Sequence, residues 1–265
     1  MQLIIALGIN FGALIAIILV LWLIAVRIRD VSFIDAFWAF GMVLLSWASL
    51  AQAWPSAPLG KALAGLTTFW GIRLGLHLLL RWNAHGEDPR YKKIMAATME
   101  KKGWSWVQTA LLQVFLLQAP LLFIVCLPAQ IGILAGAGYI SPLGFVGIAI
   151  ALTGIAFETI GDRQLDQFRK DPASQGKVMD KGLWRYTRHP NYFGDACTWW
   201  GIWLLAASAG WWIAAVSVVG PVFLTFTLTK WSGGPLLERG MKKTRPGYDE
   251  YVRRTSAFFP LPPKK

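Results

Sequence analysis

The feature that most constrains this chain is a series of apolar runs, each about as long as a bilayer is thick. A helix needs about 20 mostly apolar residues to cross the hydrocarbon core. Seven segments meet that need: Leu3–Val26, Ser32–Trp54, Lys61–Trp82, Trp104–Leu127, Pro142–Ile160, Pro190–Ala209 and Trp211–Thr229. Residues 196–229 form one long apolar stretch, but Gly210 at its middle invites a tight turn. That stretch therefore reads as a hairpin of two helices. Gly132, Gly136 and Gly138, with Ser141-Pro142, read as the loop before the fifth span. The expected fold class is all-α: a polytopic bundle of seven transmembrane helices, forming a single integral-membrane domain over residues 1–265.

Composition removes the alternatives. Only 15% of residues are charged and 55% are hydrophobic, against about 25% charged in an ordinary globular domain. That is too little charge to cover a soluble domain of 265 residues, and far too much apolar surface for disorder. The first apolar run lacks the basic start and cleavage site of a signal peptide, so it is expected to stay as a span. Cys126 and Cys197 both lie inside apolar runs and read as small buried hydrophobes, with no disulfide or metal site.

The net charge of +12 would suggest nucleic acid if it were spread over a soluble surface. Here the cations sit in blocks between apolar runs. With the N-terminus outside, all of the 26 Lys and Arg except Lys61 and Arg73 fall in inner segments, as the positive-inside rule requires. The C-terminus is then cytoplasmic, and membrane lipids rather than nucleic acid are the expected partners. Lys92, Lys93, Lys242, Lys243, Lys264 and Lys265 suit the anionic inner leaflet. A charged soluble ligand has to be met from the inside, because the outer loops are short and nearly chargeless.

Ionisable groups within a span are costly, so each is a candidate for function. Arg73, His77 and Arg81 recur at i, i+4 and i+8 in span three and share one stripe. The plain alternative for Arg73 is a structural ion pair with Glu158 or Asp35. Glu158, Asp162 and Asp166 repeat the same spacing at the end of span five, with Arg163 and Arg169 interleaved. Acids accept from ribose hydroxyls, and arginines hold phosphates by bidentate contact. The densest region is Gly182–Asp195. Pro190 is placed to start a helix, Asn191, Asp195 and Trp199 share one face of it, and Arg185, Arg188 and His189 overhang its N-terminus, itself an anion site.

Arg188-His-Pro-Asn-Tyr-Phe-Gly194 resembles the signature shared by steroid 5-alpha-reductase-like enzymes, membrane sterol reductases and isoprenylcysteine carboxyl methyltransferases. The tail, Tyr248-Asp-Glu-Tyr251 and Arg253-Arg-Thr-Ser-Ala-Phe-Phe-Pro260, is similar to the C-terminus of the first group, as is Gly86-Glu-Asp-Pro-Arg-Tyr91. The resemblance runs from about residue 30 and is strongest over 182–201 and 235–260. It implies a seven-helix bundle with an NADPH site on the cytoplasmic side, closed by the tail from 235 to 265. Carried over by position, the cofactor binders are Asp162, Arg169, Arg185, Tyr186, His189, Asn191 and Asp195, with Glu238, Tyr251, Arg90 and Tyr91 beside them. No strand–GxGxxG–helix is present, so helices and loops would have to bind the nucleotide.

The reaction that the resemblance implies is reduction of the C=C bond of an enone in a steroid-like lipid. Family steroid reductases use a Gln-Glu pair at the start of span two and a Tyr in span three; here Ile34-Asp35 and Trp70 stand there. The expected catalytic set is Asp35, Trp70 and Arg73. A protonated Asp35 would donate to the carbonyl oxygen; its plain alternative is capping or pairing with Arg29. Two rival functions remain at this point. One is an S-adenosylmethionine-dependent lipid or prenylcysteine methyltransferase; the other is a lipid or sterol binder without chemistry. The absence of an organelle signal fits a bacterial inner membrane, with a eukaryotic endoplasmic reticulum as the alternative.

Overall fold

Each apolar run is a helix, and the residues that break helices fall between them. The structure, a computed structural model, describes residues 1–136, 138–231 and 233–264; Lys265, counted above among the lipid-facing lysines, lies outside them. The elements are α1 (Gln2–Ile28), α2 (Ile34–Gln52), α3 (Pro58–His85), α4 (Pro89–Lys102), α5 (Trp106–Val125), α6 (Leu127–Leu134), α7 (Pro142–Lys170), α8 (Pro190–Ala207), α9 (Trp211–Trp231), α10 (Gly234–Thr244) and α11 (Tyr248–Arg254). Their ends follow local chemistry. Pro opens α3, α4, α7 and α8, where its missing N–H costs no bond. Ser105 and Gln108 form a capping box at the start of α5. Gly103 closes α4 at φ 66°, a left-handed cap.

Six of these helices, α1, α2, α3, α5, α7 and α9, are long and apolar enough to cross a membrane. The seventh expected span, Pro190–Ala209, is the helix α8. It has 18 residues, and the polar groups of its first two turns keep it out of that set. The expected turn at Gly210 holds, with α9 starting at Trp211. One expectation fails. Gly132 belongs to the short helix α6, not to a loop, because an eight-residue segment, apolar but for Gln130, buries itself between α3 and α8; a Cβ at Gly132 would meet Leu63 at 2.6 Å and Ala206 at 2.8 Å. Both cysteines are free, and Cys126 is buried against the Met42 carbonyl at 3.5 Å.

The seam between α7 and α8 positions the site. Gly147, Gly154 and Gly161 on α7 recur every seven residues, as do Gly194 and Gly201 on α8. A Cβ at Gly154 would lie 2.5 Å from the Gly194 carbonyl oxygen, and one at Gly201 would lie 2.4 Å from the Ala151 nitrogen. The two backbones therefore touch, as small-residue seams allow in lipid. That contact sets Glu158 of α7 against α8: a Cβ at Gly194 would lie 2.7 Å from the Glu158 Cβ.

The helix ends rich in Arg and Lys gather at one end of the bundle. There Trp82 Nε1 donates to Asp30 at 2.7 Å, tying α3 to the α1–α2 turn. The tail folds back over the segment before α8. Arg188 N donates to the Ser256 carbonyl at 2.9 Å, Thr187 Oγ1 to the Phe258 carbonyl at 2.8 Å, and Leu261 N to the Tyr186 carbonyl at 3.0 Å.

Candidate functional site within the helix bundle

Three polar stripes, one each on α3, α7 and α8, meet inside the bundle. On α3, Arg73 lies between two acids of α7. Its Nη2 donates to Asp162 Oδ2 at 2.6 Å, and its Nη1 is 3.2 Å from Glu158 Oε1. Trp70, one turn away, donates from Nε1 to the other Glu158 oxygen at 3.1 Å. Its ring meets Trp199 of α8 edge to face, with centroids 5.2 Å apart. Of the two partners open to Arg73, Glu158 is the one it takes, with Asp162 added. His77 extends the stripe: Nε2 is 3.8 Å from Asp162 and Nδ1 is 3.6 Å from Asp166.

This cluster is buried and incompletely paired. Glu158 and Asp162 side chains are only 3% and 8% exposed. Among the described residues, Arg73 Nη1, Asp195 Oδ1 and Trp199 Nε1 are buried with no aligned hydrogen-bond partner. Buried polar atoms in native proteins are nearly all paired, so such a gathering makes this the candidate site. A cleft of about 370 Å³ opens beside it between α3 and α7, lined by Arg73, His77, Asp162, Arg163, Asp166 and Lys170 among others.

Asp35 does not join Trp70 and Arg73. It sits at the start of α2 and accepts from Tyr91 Oη at 2.6 Å and from Arg90 Nη2 at 3.1 Å. Arg29, its expected alternative partner, instead lies over the Trp106 ring. The polar helix α4, an inner loop by the expectation from sequence, carries Arg90 and Tyr91 to this place. Asp88 caps that helix and grips Arg90. Its carboxyl is partly desolvated, but the bonds from Arg90 outweigh this and hold it below the usual range. Burial and the neighbouring Asp35 push the Tyr91 phenol well above its ordinary value. The group also contains residues that no motif in the sequence singles out. Gln118 of α5 donates to Tyr91 Oη at 3.4 Å and accepts from Trp38 Nε1. The available signal was an amide within an apolar run, one of three with Gln108 and Gln113.

A third group joins the tail to the start of α8. Arg188 Nε donates to Glu238 Oε1 at 2.8 Å, and His189 Nε2 lies 2.9 Å from the same oxygen. Arg188 Nη1 also donates to the Thr255 carbonyl at 2.7 Å, and Tyr251 Oη donates to the Trp184 carbonyl at 2.5 Å. His189 stacks on Tyr192 with centroids 5.3 Å apart. Desolvation would raise the Glu238 carboxyl, but the His189 and Arg188 bonds prevail and bring it down to about 2. Four of the expected cofactor binders remain. Arg169, Arg185 and Tyr186 are exposed at the basic end, and Asn191 accepts from its neighbour's backbone N–H at 3.1 Å. Among the described residues neither Arg169 nor Arg185 forms an ion pair.

The chain belongs to a family described as "Protein of unknown function (DUF1295)", which it matches over residues 21–255. Comparison with curated proteins and comparison with solved structures each found no match.

Proposed function

We propose that this member of the family is a membrane-embedded, NADPH-dependent reductase of the C=C bond of an enone in a flat, apolar, steroid- or polyprenyl-like lipid. The observation that carries the reading is the set of buried atoms on α3 and α8 without an aligned hydrogen-bond partner: the donors Trp199 Nε1 and Arg73 Nη1, the latter held only by its ion pair with Glu158, the acceptor Asp195 Oδ1, and the Thr67 hydroxyl. NADPH has matching chemistry. The carboxamide beside its reacting ring both donates and accepts, and its other end is a polyanion. Asp195, Asn191 and Asp162 would hold the reacting end. Arg169 and Arg185 would hold the phosphates, and Arg90, Tyr91, Tyr186, His189, Glu238 and Tyr251 would frame the mouth. When bound, NADPH supplies the hydride.

The chain's own residues supply position and electrostatics. Arg73 has an unused N–H for the substrate carbonyl oxygen, where enolate charge develops; a preorganised donor of this kind is worth about 10²–10³ in rate. The Trp70–Trp199 pair walls off water on the far side. Asp35, fully engaged as an acceptor, orients Tyr91 and Arg90. In this reading seven helices cross the membrane, α8 among them, with the N-terminus outside and the basic end in the cytoplasm. NADPH enters from the cytoplasm, and the lipid enters sideways from what we take to be a bacterial inner membrane.

The test is titration of the detergent-purified protein with NADPH and with S-adenosylmethionine, followed by enone-dependent loss of nicotinamide absorbance. Tight NADPH binding and turnover are expected. Binding of S-adenosylmethionine alone would make the protein a methyltransferase, and binding of neither would leave a lipid binder.

A further inference from the structure

Glu158 and Asp162 pair with one guanidinium, Arg73, inside the bundle, and Asp195, beside them on the α8 turn that packs against Glu158, has no ion pair of its own among the described residues. Uncompensated negative charge in such a place is expensive, and a bound proton is the smallest group that balances it. The buried atoms left without a partner beside the cluster are a donor and an acceptor, and the acceptor, Asp195 Oδ1, is one that a proton shared with Glu158 would satisfy. Trp199 is fully buried with its Nε1 unpartnered, and its ring lies against Trp70, which is bonded to Glu158. Asp195 Oδ1 is likewise buried without a partner.

His77 links this cluster to the basic end. Its two ring nitrogens face different acids: Asp166, whose side chain is 38% exposed, and Asp162, whose side chain is 8% exposed. An imidazole can take a proton on one nitrogen and release one from the other. The gaps of 3.6 and 3.8 Å are of the size that a small side-chain reorientation closes to hydrogen-bond length. The charged groups around His77 are Arg73 and Arg81 on its own helix, and Asp162, Arg163, Asp166, Arg169 and Lys170 on α7; α8 contributes Asp195 to the inner cluster. Beyond Trp70 the bundle is filled by Leu59, Leu63, Ile133 and Leu205, so the path opens at one end only.

We propose that Asp166 and His77 form a proton relay that reloads a proton held among Glu158, Asp162 and Asp195. Its use rests on the reductase reading. Reduction breaks the C=C π bond and forms two C–H bonds: the hydride for one carbon would come from bound NADPH, leaving NADP⁺, and the proton for the other would come from the cluster. Water at the basic end then replaces that proton through Asp166 and His77.

The test needs neither cofactor nor substrate. A protonated buried carboxyl has an infrared C=O band distinct from that of carboxylate, and the band shifts as its proton exchanges for deuterium. The purified protein should show such a band, weakened in Glu158→Gln and in Asp195→Asn. If one of these fails to fold, the other reports the same band. In His77→Gln the band should persist but exchange about 10²-fold more slowly, the size of a lost acid–base step. Added imidazole should restore the rate. Absence of the band, wild-type exchange in His77→Gln, or slow exchange that imidazole does not rescue would each overturn the relay. If the relay behaves as expected and NADPH does not bind, only the reductase reading falls.

Discussion

Two buried polar networks cross the interior of this bundle, and they are built on opposite plans. Near the far end, Asn10 of α1 donates to Ser49 of α2 at 2.8 Å and to Gln130 of α6 at 3.0 Å, and accepts from Gln52 at 2.7 Å. Gln130 Nε2 and Ser49 Oγ in turn donate to the carbonyls of Phe123 and Leu45. This network is neutral and closed. The α3–α7–α8 cluster is charged, has more acids than bases, and keeps unpartnered atoms. Burial of polar groups in a membrane is thus no sign of chemistry by itself. A closed neutral network fixes helix positions; an open, charge-imbalanced one has capacity left for a ligand or a proton.

The sharpest way to break this contrast is to remove one hub from each network. Arg73→Leu leaves Glu158 and Asp162 without their cation, a change that costs about 3–5 kcal/mol when a buried pair is broken. Turnover should also fall by about 10²–10³ with the donor gone. Thermal unfolding in detergent and single-turnover rates check both. Asn10→Leu strands its partners in the far network and should cost about 1–3 kcal/mol, with NADPH affinity unchanged. If Asn10→Leu weakens cofactor binding as much as Arg73→Leu does, the division between structural and functional networks is wrong.

The sequence carried one side of this contrast better than the other. Periodicity within a helix is local, so the stripes Arg73–His77, Glu158–Asp162–Asp166 and Asn191–Asp195–Trp199 were legible from spacing alone, as were Gly210 and most helix ends. Contacts between helices are not local. Asn10, Ser49 and Gln130 lie too far apart in sequence for any spacing to join them. Asp35 parted from Trp70 and Arg73 because α4, polar enough to pass as a loop, brings Arg90 and Tyr91 to it. Gly132 misled because glycine serves both turns and close packing, and here a neighbouring helix needs the space. The seven-residue glycine spacing on α7 and α8 was visible, but its meaning depends on which helices meet.

Exposed cations sharpen the contrast from outside, since they have no internal partner to lose. Arg169→Ala and Arg185→Ala should leave stability almost unchanged. Each should weaken NADPH binding by about tenfold, the worth of one charge-assisted contact, and leave NADH binding less affected. Calorimetric titration of both nucleotides against each variant checks this. Equal losses for the two would place these arginines away from the extra phosphate.

The tail clasp asks whether charge or the lack of partners marks function, because Arg188, His189 and Glu238 are charged yet mutually satisfied. If satisfaction is what matters, the clasp holds the tail and does no chemistry. The Glu238 carboxyl lies at about 2 in the folded chain against an ordinary 4.5. The folded state therefore binds this proton less tightly than the unfolded state does. The stability contributed by that shift is fully present above about pH 4.5 and is lost as pH falls towards 2. Amide exchange over residues 238–256, followed by mass spectrometry, should stay level from neutral pH down to about 5 once corrected for intrinsic rates, then rise in more acid solution. Glu238→Gln should exchange faster at neutral pH and lose most of the acid step, while Arg73-dependent chemistry persists at saturating cofactor. Loosening of the wild-type tail well above pH 4.5 would show that some other contact holds it. Loss of the chemical step in Glu238→Gln at saturating cofactor would move the clasp into the working site and undo the distinction drawn between closed and open networks.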